Sequence, residues 1–183
     1  MNLFHTPLLS LGLLAATAVN AQPVLTYATN APLPGQSFTR NFSSWVASGE
    51  AGANVTWDFT TLGIDSTETV QLVDPASTPF AAQFAGATVA ETSGDGYEYF
   101  TATANGVQRA GEAFDGQPVI YTDLGQYLSF PCTMGSSWTD EAAATYTSEG
   151  FTVNRSTTIT GEADAYGTLL LPGGITAEVL RVH

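Results

Sequence analysis

Glu98 and Glu112 are the one pair of acids that this sequence places on neighbouring strands. Two carboxylates facing each other across a sugar can run glycoside hydrolysis, one as acid and the other as base or nucleophile. The connection between them decides the matter. Asn105-Gly106 is the two-residue signal of a type I′ hairpin, because both residues tolerate positive φ. A turn centred there sets Tyr99 opposite Glu112 and Tyr97 opposite Phe114. Glu98 and Glu112 then point to opposite faces of the sheet and build no shared site.

Other chemistries lack a component. A Ser-His-Asp or Cys-His arrangement needs a histidine base. Past the first few residues the only histidine is the terminal His183. Zinc sites built on His and Cys fail for the same reason. Cys132 is the sole cysteine and follows Phe130-Pro131, which makes it a small buried hydrophobe rather than a reactive thiol. Leu171-Pro172-Gly173-Gly174 lacks the Lys and the following helix of a phosphate-binding loop. Asp95, Asp115 and Asp123 stand near Gly96, Gly116 and Gly125. Oxygen-rich loops can hold calcium, yet Asp-Gly is also the ordinary composition of a β-turn, and no spaced calcium-loop pattern is present. Catalytic, cofactor-binding and metal-binding residues are therefore all read as none.

Aromatic residues offer a different kind of chemistry. Trp45, Trp57 and Trp138, with Tyr97, Tyr99, Tyr121 and Tyr127, are enough to build a glycan-stacking platform. A sandwich core also needs large side chains, so packing is the expected role of each.

The elements that must position these groups are strands. Thr, Val, Tyr, Phe and Gly dominate, and turn signals recur about every ten residues, the signature of an all-β sandwich or barrel. Val55, Trp57 and Phe59 alternate with polar residues. From Phe151 to Glu162 the inner set is Phe151, Val153, Arg155, Thr157 and Ile159. Period two over such a length means an antiparallel strand with one wet face. Asp115-Gly116 and Glu149-Gly150 mark further turns, and Pro172-Gly173-Gly174 joins Thr168–Leu171 to Ile175–Val182 in a closing hairpin. Thr78 to Phe84 reads as a single helical turn, with Pro79 at its first position and Phe80 and Phe84 on one face.

Charge and the N-terminus speak to location. Seventeen acidic residues face four arginines and no lysine, a net charge of −13. Nucleic acid and anionic lipid surfaces repel such a chain, and the scattered acids read as solvated surface. Residues 1–21 resemble a secretory signal: an apolar run from Leu8 to Val19, then Val19-Asn20-Ala21 with cleavage before Gln22. The run is too short to span a bilayer, which needs about 20 residues. No comparable apolar run follows, so the mature chain has no membrane span. The expected organisation is a signal peptide over residues 1–21 and one antiparallel β-sandwich or jelly-roll-like domain over residues 22–183. The second strand of the closing hairpin ends at His183 with no polar tail, which reads as the N-terminal part of a longer chain.

Three segments carry a likeness. Gly52-Ala53-Asn54-Val55-Thr56-Trp57-Asp58-Phe59-Thr60 comes first. Phe130-Pro131 with Met134-Gly135-Ser136-Ser137-Trp138 follows, and Ala165-Tyr166-Gly167 through Val179-Leu180-Arg181-Val182 comes last. In that order they resemble the N-terminal β-rich region of secreted Bacteroidota proteins that carry a C-terminal type IX secretion sorting domain. The resemblance implies export and carries over no catalytic residue; the sorting domain itself has no counterpart in these residues. The expected function is a non-catalytic extracellular or cell-surface module, structural or adhesive. The alternatives are a carbohydrate-binding module serving an enzyme on the missing part and, behind it, a hydrolase. The partner is a glycan or another cell-surface component.

Overall fold

The computed structural model describes residues 22–94 and 96–183. The signal segment and Asp95 lie outside the described residues. Ten strands follow one another with almost no helix: β1 (Ser37–Phe42), β2 (Gly52–Asp58), β3 (Ser66–Val73), β4 (Val89–Ser93), β5 (Gly96–Thr103), β6 (Gly106–Phe114), β7 (Gln117–Ser129), β8 (Ser137–Ser148), β9 (Phe151–Leu171) and β10 (Ile175–Val182). They form one mostly antiparallel sheet in the order β1-β3-β4-β5-β6-β7-β8-β9-β10. The expected all-β, sandwich-like class is what the residues adopt. A four-residue helix, α1 (Tyr27–Asn30), precedes β1.

Turn chemistry explains most of the meander. Asp115 and Gly116 both have positive φ, at 51° and 76°. They join β6 to β7 with Phe114 paired to Gln117. Glu149 and Gly150, at 50° and 82°, do the same between β8 and β9. These are the primed turns whose twist suits a hairpin. The closing hairpin also forms as expected, with Ile175 opposite Leu171 across Pro172–Gly174. The alternation holds in part: Val153, Arg155 and Ile159 are half-buried as expected, but Phe151 and Thr157 are exposed, and the strand runs on to Leu171.

Four features differ from the sequence reading. The β5–β6 turn is centred on Ala104-Asn105, one residue early, so Thr103 pairs with Gly106. A bulge at Ala110 then adds a residue on β6 alone. Beyond it Tyr99 faces Gly111, Tyr97 faces Ala113, and Glu98 faces Glu112. One inserted residue moves every later side chain to the other face. Second, β2 lies parallel to β9, with Trp57 opposite Leu169. Third, Thr78 to Phe84 forms successive turns rather than a helix. The 3₁₀ turn sits earlier, at Pro75–Ser77, where the Asp74 side chain accepts from the Ala76 N–H. Fourth, Asp123 lies inside β7, not at a turn.

The apolar residues divide into two clusters. One gathers Ala31, Leu72, Val89, Phe100, Ala102, Val107 and Phe130. The other gathers Phe84, Ala90, Tyr99, Ala110 and Ala113. Val89 and Phe100 are cross-strand partners in the first cluster, and their neighbours Ala90 and Tyr99 are partners in the second. The clusters therefore occupy opposite faces of the β4–β5 pair, and both faces are covered. Tyr99 is fully buried, stacked on Phe84 at 3.7 Å between ring centroids. Its hydroxyl donates to Thr78 Oγ1 at 2.8 Å, so no buried phenol is left unpaired. Burial holds the Tyr99 phenol above its usual acidity range. Cys132 is completely buried, as its apolar setting implied, and burial pushes its thiol up.

Candidate functional site

The bulge at Ala110 builds a charged row that the sequence reading did not contain. Glu91, Glu98 and Glu112 are successive cross-strand partners on β4, β5 and β6. Like charges directly opposite each other destabilise a sheet, and arginines offset them here. Arg40 on β1 reaches Glu68, at 2.9 Å, and Glu91. Arg109 on β6 reaches Glu98, at 3.1 Å, and Glu112. Arg155 comes across from β9 to Glu112 at 2.9 Å. The result is a ladder of four glutamates and three arginines. Burial pushes the Glu98 carboxyl above its ordinary value; Arg109 opposes that shift, and the Glu91 and Glu112 carboxylates add to it.

Glu98 and Glu112 are thus side by side, correcting the expectation that they point apart. Adjacency does not make them a catalytic pair. Glu112 is held by two guanidinium groups and is only 14% exposed. Neither cavity beside the ladder is lined by both carboxylates. The alternation of β9 puts Arg155 on the inward face, and a guanidinium facing inward requires an acid partner. That was the one signal in the sequence that pointed to the ladder.

Beside the ladder lies a concavity of about 680 Å³, between β6–β7 and the β8–β10 part of the sheet. Tyr121, Tyr127 and Trp138 supply aromatic wall, Leu128 and Ile159 aliphatic wall, and Arg109 one charged group. Tyr121 is bracketed by cations: the Arg155 and Arg109 guanidinium carbons lie 4.9 and 6.0 Å from its ring centroid. Such contacts fix the ring and do not require further burial. Trp138 donates its indole N–H to the Gln126 carbonyl at 3.2 Å and is paired with Gly161 on β9. A Cβ at Gly161 would sit 2.2 Å from Trp138 Cζ2, so the missing side chain is what lets the indole rest against β9.

Gly161→Ala should therefore displace Trp138. The expected result is a changed near-UV circular dichroism spectrum and a loss of about 1–2 kcal/mol in urea, as for other overpacked sites. An unchanged spectrum would place Trp138 elsewhere.

Of the seven aromatics considered for a binding platform, the fold brings three into the groove. Tyr97 and Tyr99 belong to the Phe84 cluster. Trp57 is core, 5% exposed. Trp45 departs from the expected packing role: it is 89% exposed, in the irregular segment between β1 and β2. Asp115 occupies a turn position, Asp123 a strand position, and no cluster of three His, Cys, Asp or Glu occurs among the described residues.

The fourth arginine braces the other end of the sheet. Arg181 on β10 makes a two-point contact with Asp164, Nε to Oδ1 at 2.8 Å and Nη2 to Oδ2 at 2.6 Å. Its Nη1 donates to the carbonyls of Ser48 and Gly49, just ahead of β2. The Arg181 hydrogen bond holds the Asp164 carboxyl below the usual carboxylate range. This contact is fully present above the ordinary carboxylate pKa and is lost as pH falls through the lowered one. No helix among the described residues is long and apolar enough to cross a membrane. No family model, no curated protein and no solved structure matches the chain.

Proposed function

We propose that the chain is a non-catalytic extracellular or cell-surface module of adhesive type, exported through its N-terminal signal. One observation carries this reading. A concavity of about 680 Å³ is walled by Tyr121, Tyr127 and Trp138, while the Glu98 and Glu112 carboxylates, outside its lining, are tied up with Arg109 and Arg155. A groove of aromatics beside a ladder whose carboxylates are held by arginines is built to hold a surface, not to transfer protons. The resemblance of its segments to exported Bacteroidota proteins adds support to this reading. The acidic surface suits a chain that stays dispersed outside the cell.

Two measurements test the reading. The chain recovered from the producing cells should begin at Gln22 and lie outside the cytoplasm. Labelled chain should bind intact cells or insoluble extracellular matrix, retained through washing. Turnover of polysaccharide, ester or peptide substrates that falls with Glu98→Gln would overturn the proposal, as would a chain that stays in the cytoplasm.

A further inference from the structure

The groove also limits what it can hold. Its one side-chain cation, apart from the terminal His183, is Arg109, and Arg109 with Arg155 is matched by Glu98 and Glu112. The four charges sum to zero, within a chain of net charge −13. A polyanion finds no uncompensated positive charge there and is repelled at longer range. A cation meets the Arg109 guanidinium, the one charged side chain besides His183 at the wall. A neutral ligand is the class this balance admits.

Two further features give that ligand a shape. Trp138, Tyr121 and Tyr127 present flat apolar surface that carries polar edges, which suits a molecule with one apolar face and a polar rim. Arg109 has a buried Nε with no hydrogen-bond partner, and Arg155 has a buried Nη2 in the same state. Those two atoms are closed to a ligand, but the Arg109 side chain as a whole is 30% exposed and lines the groove, so its guanidinium offers a donor at the wall. Thr157, on the same face of β9 as Ile159 and Gly161, adds a hydroxyl to the wall. The volume, about 680 Å³, lies within the range of small-molecule sites.

We infer that this groove binds a neutral sugar, one or two pyranose rings of a surface glycan, stacked on Trp138 with a hydroxyl or ring oxygen accepting from Arg109. The inference rests on the adhesive reading and names its ligand. Tyr127, 67% exposed, forms the outer lip, and Trp138 the inner wall.

The test is titration of the chain with neutral disaccharides (cellobiose, maltose, lactose and xylobiose). A uronic-acid disaccharide, a sulfated disaccharide and an apolar hexapeptide serve as comparisons, and calorimetry and tryptophan fluorescence supply the readouts. Saturable binding of at least one neutral sugar is expected, with the charged sugars at least ten-fold weaker. Trp138→Ala should weaken it ten-fold or more. Tyr127→Ala, at a residue 67% exposed whose ring meets the core only edge-on at Phe100, should weaken it several-fold if Trp138→Ala proves unfolded. Arg109→Lys, which keeps the charge but removes the planar guanidinium, should also weaken it, whereas Trp45→Ala should leave it unchanged. A blank neutral panel overturns the inference, as does preference for the charged sugars or for the peptide. So does binding that survives Trp138→Ala and Tyr127→Ala but is lost in Trp45→Ala. Cell binding that persists while the neutral panel is blank would sink the sugar and leave the adhesive module standing.

Discussion

Trp57→Ala should lower the unfolding free energy by about 3–5 kcal/mol, the range for truncating a large buried aromatic. The effect should appear as an earlier urea midpoint. Trp57 is 5% exposed and sits near the end of β2. It donates its indole N–H to the Glu50 carbonyl at 3.1 Å, and the Arg181 guanidinium lies 5.6 Å from its ring. More than packing depends on it. β2 pairs with β9 alone and lies off the path along which the other strands follow one another. A strand with one partner and one deeply buried side chain has little else to hold it. Loss of the indole should therefore also raise amide exchange over Gly52–Asp58 while β5 and β6 stay protected. Trp57→Phe, which keeps the ring but not the N–H, should cost well under half as much. A loss below about 1 kcal/mol for the alanine variant would mean that β2 is held by something other than this ring.

β2 also marks where sequence reasoning stopped. The period of Val55, Trp57 and Phe59 identified a strand and its inward face, and Trp57 is indeed core. The partner lay beyond reach, because Trp57 meets Leu169 across more than a hundred residues, and nothing local encodes a parallel pairing at that distance. Hairpins were legible because their information is local: Asp115-Gly116 and Glu149-Gly150 carry the positive φ that the turn needs. Asn105-Gly106 carried the same signal, yet the chain turns at Ala104-Asn105 and then inserts a bulge at Ala110. Neither alanine announces this. The groove was partly visible as a set of aromatics, but which three converge depends on how β7, β8 and β9 curl around one another, and no spacing shows that.

That bulge turns two glutamates with the same sequence-level description into unlike groups, and substitution should separate them. Glu112→Gln should destabilise the fold by about 2–3 kcal/mol, somewhat below a fully buried pair because its arginines are about 30% exposed. It leaves Arg109 and Arg155, which touch Glu112 from opposite sides, with a neutral acceptor between two positive charges. Glu98→Gln should change stability by less than about 1 kcal/mol at neutral pH. Glu98 has one arginine contact, at 3.1 Å, and two facing carboxylates on adjacent strands. Burial already raises its pKa above the ordinary 4.5. A carboxyl raised on folding binds its proton more readily in the folded state, so its ionisation opposes folding as pH rises through the raised value. The amide mimics the protonated form. Relative to the unsubstituted chain, Glu98→Gln should thus look best at neutral pH, with that relative benefit fading as pH falls through the raised value and gone below the ordinary 4.5. Urea denaturation of both variants at neutral and acid pH measures the contrast. Equal losses at neutral pH would mean that the two carboxylates are equivalent, and that Arg155, reaching over from β9, does not distinguish them.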